Sequence, residues 1–152
     1  MGNHIQKITS GTDSSPASLF LLRLLVGSVF LSEGIQKFLF SDTLGVGRFV
    51  KIGIPAPDLM APFVGVVEVV GGVLLIVGFL ARPAALALMI NISVAIVTTK
   101  IPMLLSDGFW KAAHEARTDW CMFLGSLAIL IAGAGRWSID RRRAGKIPPQ
   151  IP

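Results

Sequence analysis

Four long apolar runs, Ser18 to Phe40, Met60 to Leu80, Pro83 to Leu105 and Trp120 to Ala134, take up most of a chain of 152 residues. The hydrocarbon core of a bilayer needs roughly 20 mostly apolar residues per helix, and each run is that long or nearly so. The pattern predicts an all-α integral membrane four-helix bundle. With 53% hydrophobic and only 15% charged residues, the chain lacks the polar surface that a soluble domain of this size requires. Four spans leave no room for a second folded unit. The expected organisation is a disordered Ser/Thr/Gly-rich tail over residues 1–17, a transmembrane domain over 18–136 and a basic cytoplasmic tail over 137–152. The first run is too long for a signal-peptide core and lacks a small-residue cleavage site, so it is expected to be retained as a membrane helix.

The net charge of +5 matters less than its distribution. Lys7, Arg82, Arg136, Arg141, Arg142, Arg143 and Lys146 all fall on one side of a four-span chain. On the other side, Arg48, Lys51, Lys111 and Arg117 are mixed with Asp42, Asp58, Asp107 and Glu115. The positive-inside rule then predicts both termini in the cytoplasm and a multi-pass inner (plasma) membrane protein. The arginine cluster reads as a topology signal and lipid-headgroup anchor. No groove-reading element accompanies it, so no nucleic-acid partner is expected.

Cys121 is the only cysteine, which excludes an intrachain disulfide and a CxxC redox motif. The two histidines, His4 and His114, both lie outside the runs. No haem and no iron–sulfur cluster is therefore expected.

Gly45, Gly47, Gly53, Pro55 and Pro57 predict a loop over Ser41–Leu59. Ala81-Arg82-Pro83 predicts a tight turn between the second and third runs, with Pro83 in the first turn of a helix. Pro102 is expected to bend the outer end of the third helix. Residues Ser106–Arg117 are expected to form an interfacial turn with Trp110 in the aromatic belt. Thr118 would then cap a fourth helix ending at Gly133.

The runs are impure in an informative way. Glu33, Lys37 and Glu68 lie inside them, and Asp119 lies at an edge. Ionisable groups at such positions are expensive and mark a functional-site hypothesis. In the expected topology, Glu33 and Lys37 occupy the outer half of the first helix and Glu68 the outer turns of the second. Lys100, His114, Glu115, Arg117 and Asp119 also lie toward that leaflet. Arg23, Gly27, Phe30, Gly34 and Lys37 form one helical stripe, and Gly65, Glu68 and Gly72 another. Small residues beside a charge let helices approach, so that the charge meets protein instead of lipid.

Several readings stay open at this point. Glu33 and Lys37, four residues apart, suit a neutral pair that makes the first helix tolerable in lipid. Glu68 is either an interhelical lock or a site, with Lys37 or Arg117 as its partner. Lys100 reads most simply as a snorkelling residue, Asn91 as an interhelical hydrogen-bond residue and Cys121 as a small packing residue. His114-Glu115-Ala116-Arg117-Thr118-Asp119 matches no standard ligand spacing, so no metal site is expected. Arg117 is better read as a fixed cation for an anionic or quinone-like group, oriented by carboxylates.

Taken in order, these motifs resemble the DoxX family of small membrane proteins. The resemblance rests on Arg23-x3-Gly27-x6-Gly34-x2-Lys37, on Gly65-x2-Glu68-x2-Gly71-Gly72 followed by Gly78, and on Gly133-Ala134-Gly135-Arg136-Trp137-Ser138-Ile139-Asp140. The 114–119 segment looks like one found in some members. The resemblance spans about residues 18 to 141 and implies a four-helix membrane bundle. It also implies kinship with a membrane subunit of thiosulfate:quinone oxidoreductase and with complexes of oxidative or thiol stress that include soluble redox partners.

The resulting expectation is an oxidoreductase subunit that is not self-sufficient, passing electrons from a soluble redox protein to a membrane quinone. Glu68 would be its catalytic, proton-handling carboxylate. Lys37 and Arg117 would hold an anionic or quinone oxygen, with Glu33, Asp119 and His114 beside them. The alternative is a non-enzymatic scaffold, assembly factor or small-solute permeation protein, in which the same charges lock the bundle. Besides membrane lipid, a homo-oligomer built through Gly65, Gly72 and Gly78 is a further open reading.

Overall fold

The computed structural model describes residues 16–144. The expected tail over 1–17 lies almost wholly outside the described residues, as does the end of the basic tail. Four long helical segments carry the fold: α1 (Pro16–Leu39), α3 (Pro57–Val77), the pair α4 (Ala81–Ala95) and α5 (Ile101–Asp107) joined through a π-helical turn, and α6 (Phe109–Ala132). Two short helices complete it, α2 (Val46–Lys51) between α1 and α3, and α7 (Ile139–Ala144) after α6. No strand occurs among the described residues.

Three of the long segments, Ala17–Leu39, Pro57–Val77 and Ala81–Asp107, are long and apolar enough to cross a membrane. The fourth is helical over its full length, but its first half carries Lys111, His114, Glu115, Arg117 and Asp119. The expected turn over 106–117 is therefore corrected. Gly108 (φ +89°) breaks the chain, and α6 starts at Phe109 with Gly108, not Thr118, at its N-cap position. No glycine or proline interrupts Phe109–Thr118, and alanines and long polar residues there favour helix. The polar composition had suggested a loop where propensity builds a helix.

The helix pair α1/α3 is antiparallel and glycine-fitted. A Cβ on Gly27 would lie 2.7 Å from the Gly72 carbonyl oxygen, and one on Gly34 would lie 2.8 Å from that of Gly65. The two backbones therefore touch at two places along the crossing, as expected of small residues at membrane helix interfaces. The core beside this crossing is apolar: Val26, Phe30, Leu75, Leu88, Met122 and Ile129 are all buried. The predicted stripe Arg23, Gly27, Phe30, Gly34 and Lys37 does face inward.

Proline chemistry explains the break in the third long segment. Pro102 has no N–H for the Thr98 carbonyl, and its ring crowds that carbonyl. The chain widens into the π turn Ile96–Lys100 just before it. Thr98 and Thr99 donate their hydroxyls back to the carbonyls of Val94 (2.8 Å) and Ala95 (2.6 Å).

At the opposite end, Gly133 (φ +81°) and Gly135 (φ +73°) turn the chain back onto the bundle. Asp140 then caps α4: its Oδ1 accepts from Leu80 N at 2.9 Å and its Oδ2 from Ala81 N at 3.0 Å, while its own N–H donates to the Gly78 carbonyl. A carboxylate on a helix N-terminus is favoured by the free N–H groups and the helix dipole. Arg23 is buried, because the same fold-back brings the Trp137 carbonyl onto its Nη2. Asp140→Ala should lower stability by about 1 kcal/mol, the usual worth of a cap, measured as earlier thermal unfolding in detergent. An unchanged melting curve would mean that the cap is dispensable.

Candidate functional site

A cavity of about 370 Å³ opens at the end of the bundle that carries α2. All the long helical segments contribute to its walls, and the 44–54 segment roofs it. Phe49, buried under the roof, pins α2 to the bundle. The lower walls are apolar, with Val29, Phe30, Val64, Ile92 and Met122.

Glu68 lies at its floor, 5% exposed. Its Oε2 accepts from Lys37 Nζ at 2.6 Å and its Oε1 from Asn91 Nδ2 at 2.8 Å, so one carboxylate joins α1, α3 and α4. The expected partner Lys37 is thus the actual one, and Asn91 does make an interhelical hydrogen bond. Pairing with the Lys37 ammonium and a neutral amide donor offsets the cost of placing charge among apolar helices.

The depth of this pair follows from the start of α3. Pro57 suits the first helical turn, so α3 begins at Pro57, a turn earlier than the run from Met60 suggested. Glu68 then stands about 14 Å from the Val77 end at 1.5 Å per residue, near the middle of a helix long enough to cross a hydrocarbon core ~30 Å thick. It is deeper than the outer turns where it was expected.

A second ion pair lies higher on the opposite wall. Lys100 Nζ is 3.2 Å from Asp119 Oδ2, both half-buried and both lining the cavity. Lys100 is therefore a paired wall residue rather than a snorkelling one. The mouth carries Glu33, Arg48 and Glu115, three exposed charges with no ion-pair partner among the described residues. Glu33 is not paired with Lys37, which reaches across to α3 instead.

Of the residues singled out from the sequence, Glu33, Lys37, Glu68 and Asp119 come together around this one cavity. His114 and Arg117 do not line it. Both are exposed on α6, where Arg117 Nη1 donates to the His114 carbonyl. Once 109–117 is helical, residues 114 and 117 are placed on an outer face while 115, 118 and 119 turn inward. Arg48 lines the cavity, whereas Arg117, expected as a fixed cation for an anionic or quinone-like group, does not. The cue for Arg48 was Phe49, an aromatic residue in a Gly-rich loop that needs somewhere to bury. Cys121 is exposed, not packed.

The donor set suits an uncharged polar head better than a metal. Among the described residues no three His, Cys, Asp or Glu side chains gather. Lys37 retains two N–H groups beyond the one given to Glu68.

Comparison with known proteins agrees with this architecture. The family model DoxX matches residues 18–101. The chain is 53% identical over 133 residues to an uncharacterized membrane protein of Mycobacterium tuberculosis, covering 84% of this chain and 82% of that one. It is 27% identical over 122 residues to CatD of Bacillus subtilis, named as a candidate oxidoreductase, covering 79% and 82%. It is 28% identical over 135 residues to the inner membrane protein YphA of Escherichia coli, covering 84% and 91%. No solved structure matches significantly. A family match over more than half of the sequence, joined to a relative this similar along most of both chains, means that the protein belongs to the DoxX family of membrane proteins.

Proposed function

We propose that this protein is a multi-pass plasma-membrane subunit of a quinone-linked oxidoreductase, with both termini in the cytoplasm and the cavity opening outward. The single observation that carries the reading is the Lys37–Glu68–Asn91 group, set midway along α3 on the floor of an apolar-walled cavity. Quinones are lipid-soluble rings with polar oxygens, and a site for one needs apolar walls and few, well-placed donors. Lys37 donates to a ring oxygen, and Glu68 both holds Lys37 in place and relays protons from water at the cavity mouth, two of which are taken up as two electrons convert the quinone to the quinol. Two electrons come from a soluble redox partner, because this chain has neither a cysteine pair nor haem ligands. The oxidoreductase name of CatD supports the same class.

The test is direct. Protein purified in mild detergent should carry membrane quinone, recoverable by solvent extraction at close to one per chain. Lys37→Met should lower the quinone content at least ten-fold, since a hydrogen bond from a charged donor is worth about 1.5–3 kcal/mol. Wild-type protein that takes up no quinone, even when quinone is added, would refute the reading.

A second reading is favoured by one specific observation: both Glu68 oxygens are already occupied by donors from two other helices. That is the geometry of an interhelical lock in a scaffold or permeation protein. Glu68→Gln and Lys37→Met together discriminate. A folded double variant without quinone supports the site, and a folded double variant that retains quinone as the wild type does supports the lock.

A further inference from the structure

The cavity has two stretches of lining of different chemistry. One is the charged mouth of Glu33, Arg48 and Glu115 under α2. The other lies between α3 and α4. Below the Glu68–Asn91 hydrogen bond these two helices are shut: a Cβ on Gly71 would lie 2.8 Å from the Leu88 side chain, and Leu88 is fully buried. Above the bond, cavity-lining side chains take the place of that tight contact. Met60 and Val64 on α3, and Val94 and Thr98 on α4 and the π turn, line the cavity from its two sides. Val94 does so while 51% exposed. A side chain that lines a cavity and is also half exposed suits a place where the wall is one residue thick.

α3 and α4 are joined by the short turn at Gly78–Leu80, and the cavity-lining stretch lies at the end away from that turn. The π turn Ile96–Lys100 changes the direction of the second helix at the height of the gap. π-helical turns are uncommon and frequently occur at functional sites.

We infer that the gap between Met60/Val64 and Val94/Thr98 is a lateral portal, through which a lipid-soluble ligand with an alkyl tail passes from the bilayer into the cavity. The polar mouth serves water and the soluble electron donor. The portal rests on the quinone reading and adds a specificity rule to it: the ring sits over Lys37 and Glu68, and the tail leaves between α3 and α4 into lipid. All four jamb residues are uncharged, as a path for an alkyl chain requires, whereas charged side chains on it would be costly in lipid.

The experiment compares two probes on one protein in one detergent: a decyl-substituted benzoquinone and its tail-less parent ring. Val94→Trp fills the portal from its outer side, where the added volume meets lipid and not the packed core. Met60→Trp does so from the opposite jamb and serves independently if the first variant does not accumulate. Each should weaken decyl-quinone binding by ten-fold or more, leave the tail-less ring within two-fold, and keep the melting temperature. Equal loss of both probes, or loss of neither, overturns the portal and leaves the quinone site standing. Wild-type protein that binds neither probe removes the quinone site and the portal together.

Discussion

Lys37→Met should be among the most damaging single substitutions in this protein, and Lys37→Met combined with Glu68→Leu should be much milder. The asymmetry follows from what each change leaves behind. Lys37 and Glu68 are a 2.6 Å pair with both side chains largely hidden. Removing only the lysine leaves a carboxylate midway along α3 with Asn91 as its remaining donor. Breaking one side of a buried pair costs about 3–5 kcal/mol, whereas replacing both members with apolar groups of similar size is often neutral or better. The measurement is a double-mutant cycle in detergent or bilayers, read as unfolding free energy. A large favourable coupling would establish that the pair acts as a unit in the folded state. Additive effects would show that the two side chains do not depend on each other, and would remove the physical basis of both the site and the lock. Asn91→Leu offers a smaller companion effect of about 1 kcal/mol, the net worth of a typical hydrogen bond.

Much of this arrangement was legible in the residues, for a definite reason. Apolar runs of bilayer length and the stripe periodicity depend only on local chain geometry, so α1, α3 and the third long segment were placed to within a few residues. The convergence of Glu33, Lys37, Glu68 and Asp119 followed once the turn at Arg82–Pro83 forced a hairpin. The partner of Glu68 was reduced to two cations, and the structure selects Lys37.

What was not legible depends on distant parts of the chain. Arg48 and Phe49 become cavity residues only because α2 folds over the bundle, and no periodicity announces a six-residue helix in a glycine-rich loop. The partner of Arg23 could not be read from the helix it sits on, because its acceptor, the Trp137 carbonyl, is over a hundred residues away. His114 and Arg117 were drawn into the site by proximity in sequence to Asp119. Helix geometry separates them, since neighbours on a helix point in different directions. The π turn is a joint effect of Pro102 and the two threonines before it, and a bend was all that Pro102 alone suggested.

The glycines of α3 supply the second large effect, and here adjacent positions should behave differently. Gly71 and Gly72 are both buried, and alanine at either adds one methyl group. At Gly71 that methyl meets the side chain of Leu88, at 2.8–3.0 Å. A leucine can change rotamer or tilt, so the strain is partly relieved. At Gly72 the methyl meets the Gly27 carbonyl oxygen at 2.7 Å and the Leu31 backbone nitrogen at 2.8 Å. Backbone within a helix cannot step aside; the only relief is to push α1 away from α3. Overpacking of this kind costs about 1–3 kcal/mol, and the displacement travels along a rigid helix. Moving α1 outward also pulls Lys37 from Glu68, since these two helices hold that pair. Gly72→Ala is therefore expected to lower the melting temperature more than Gly71→Ala, and to lower quinone retention although residue 72 does not line the cavity. Gly27→Ala, facing Gly72 across the same contact, should reproduce both effects. The order Gly72 and Gly27 well above Gly71 is the result to look for in a detergent melting series. Equal losses at all three positions would mean that the helices are held by something other than their touching backbones.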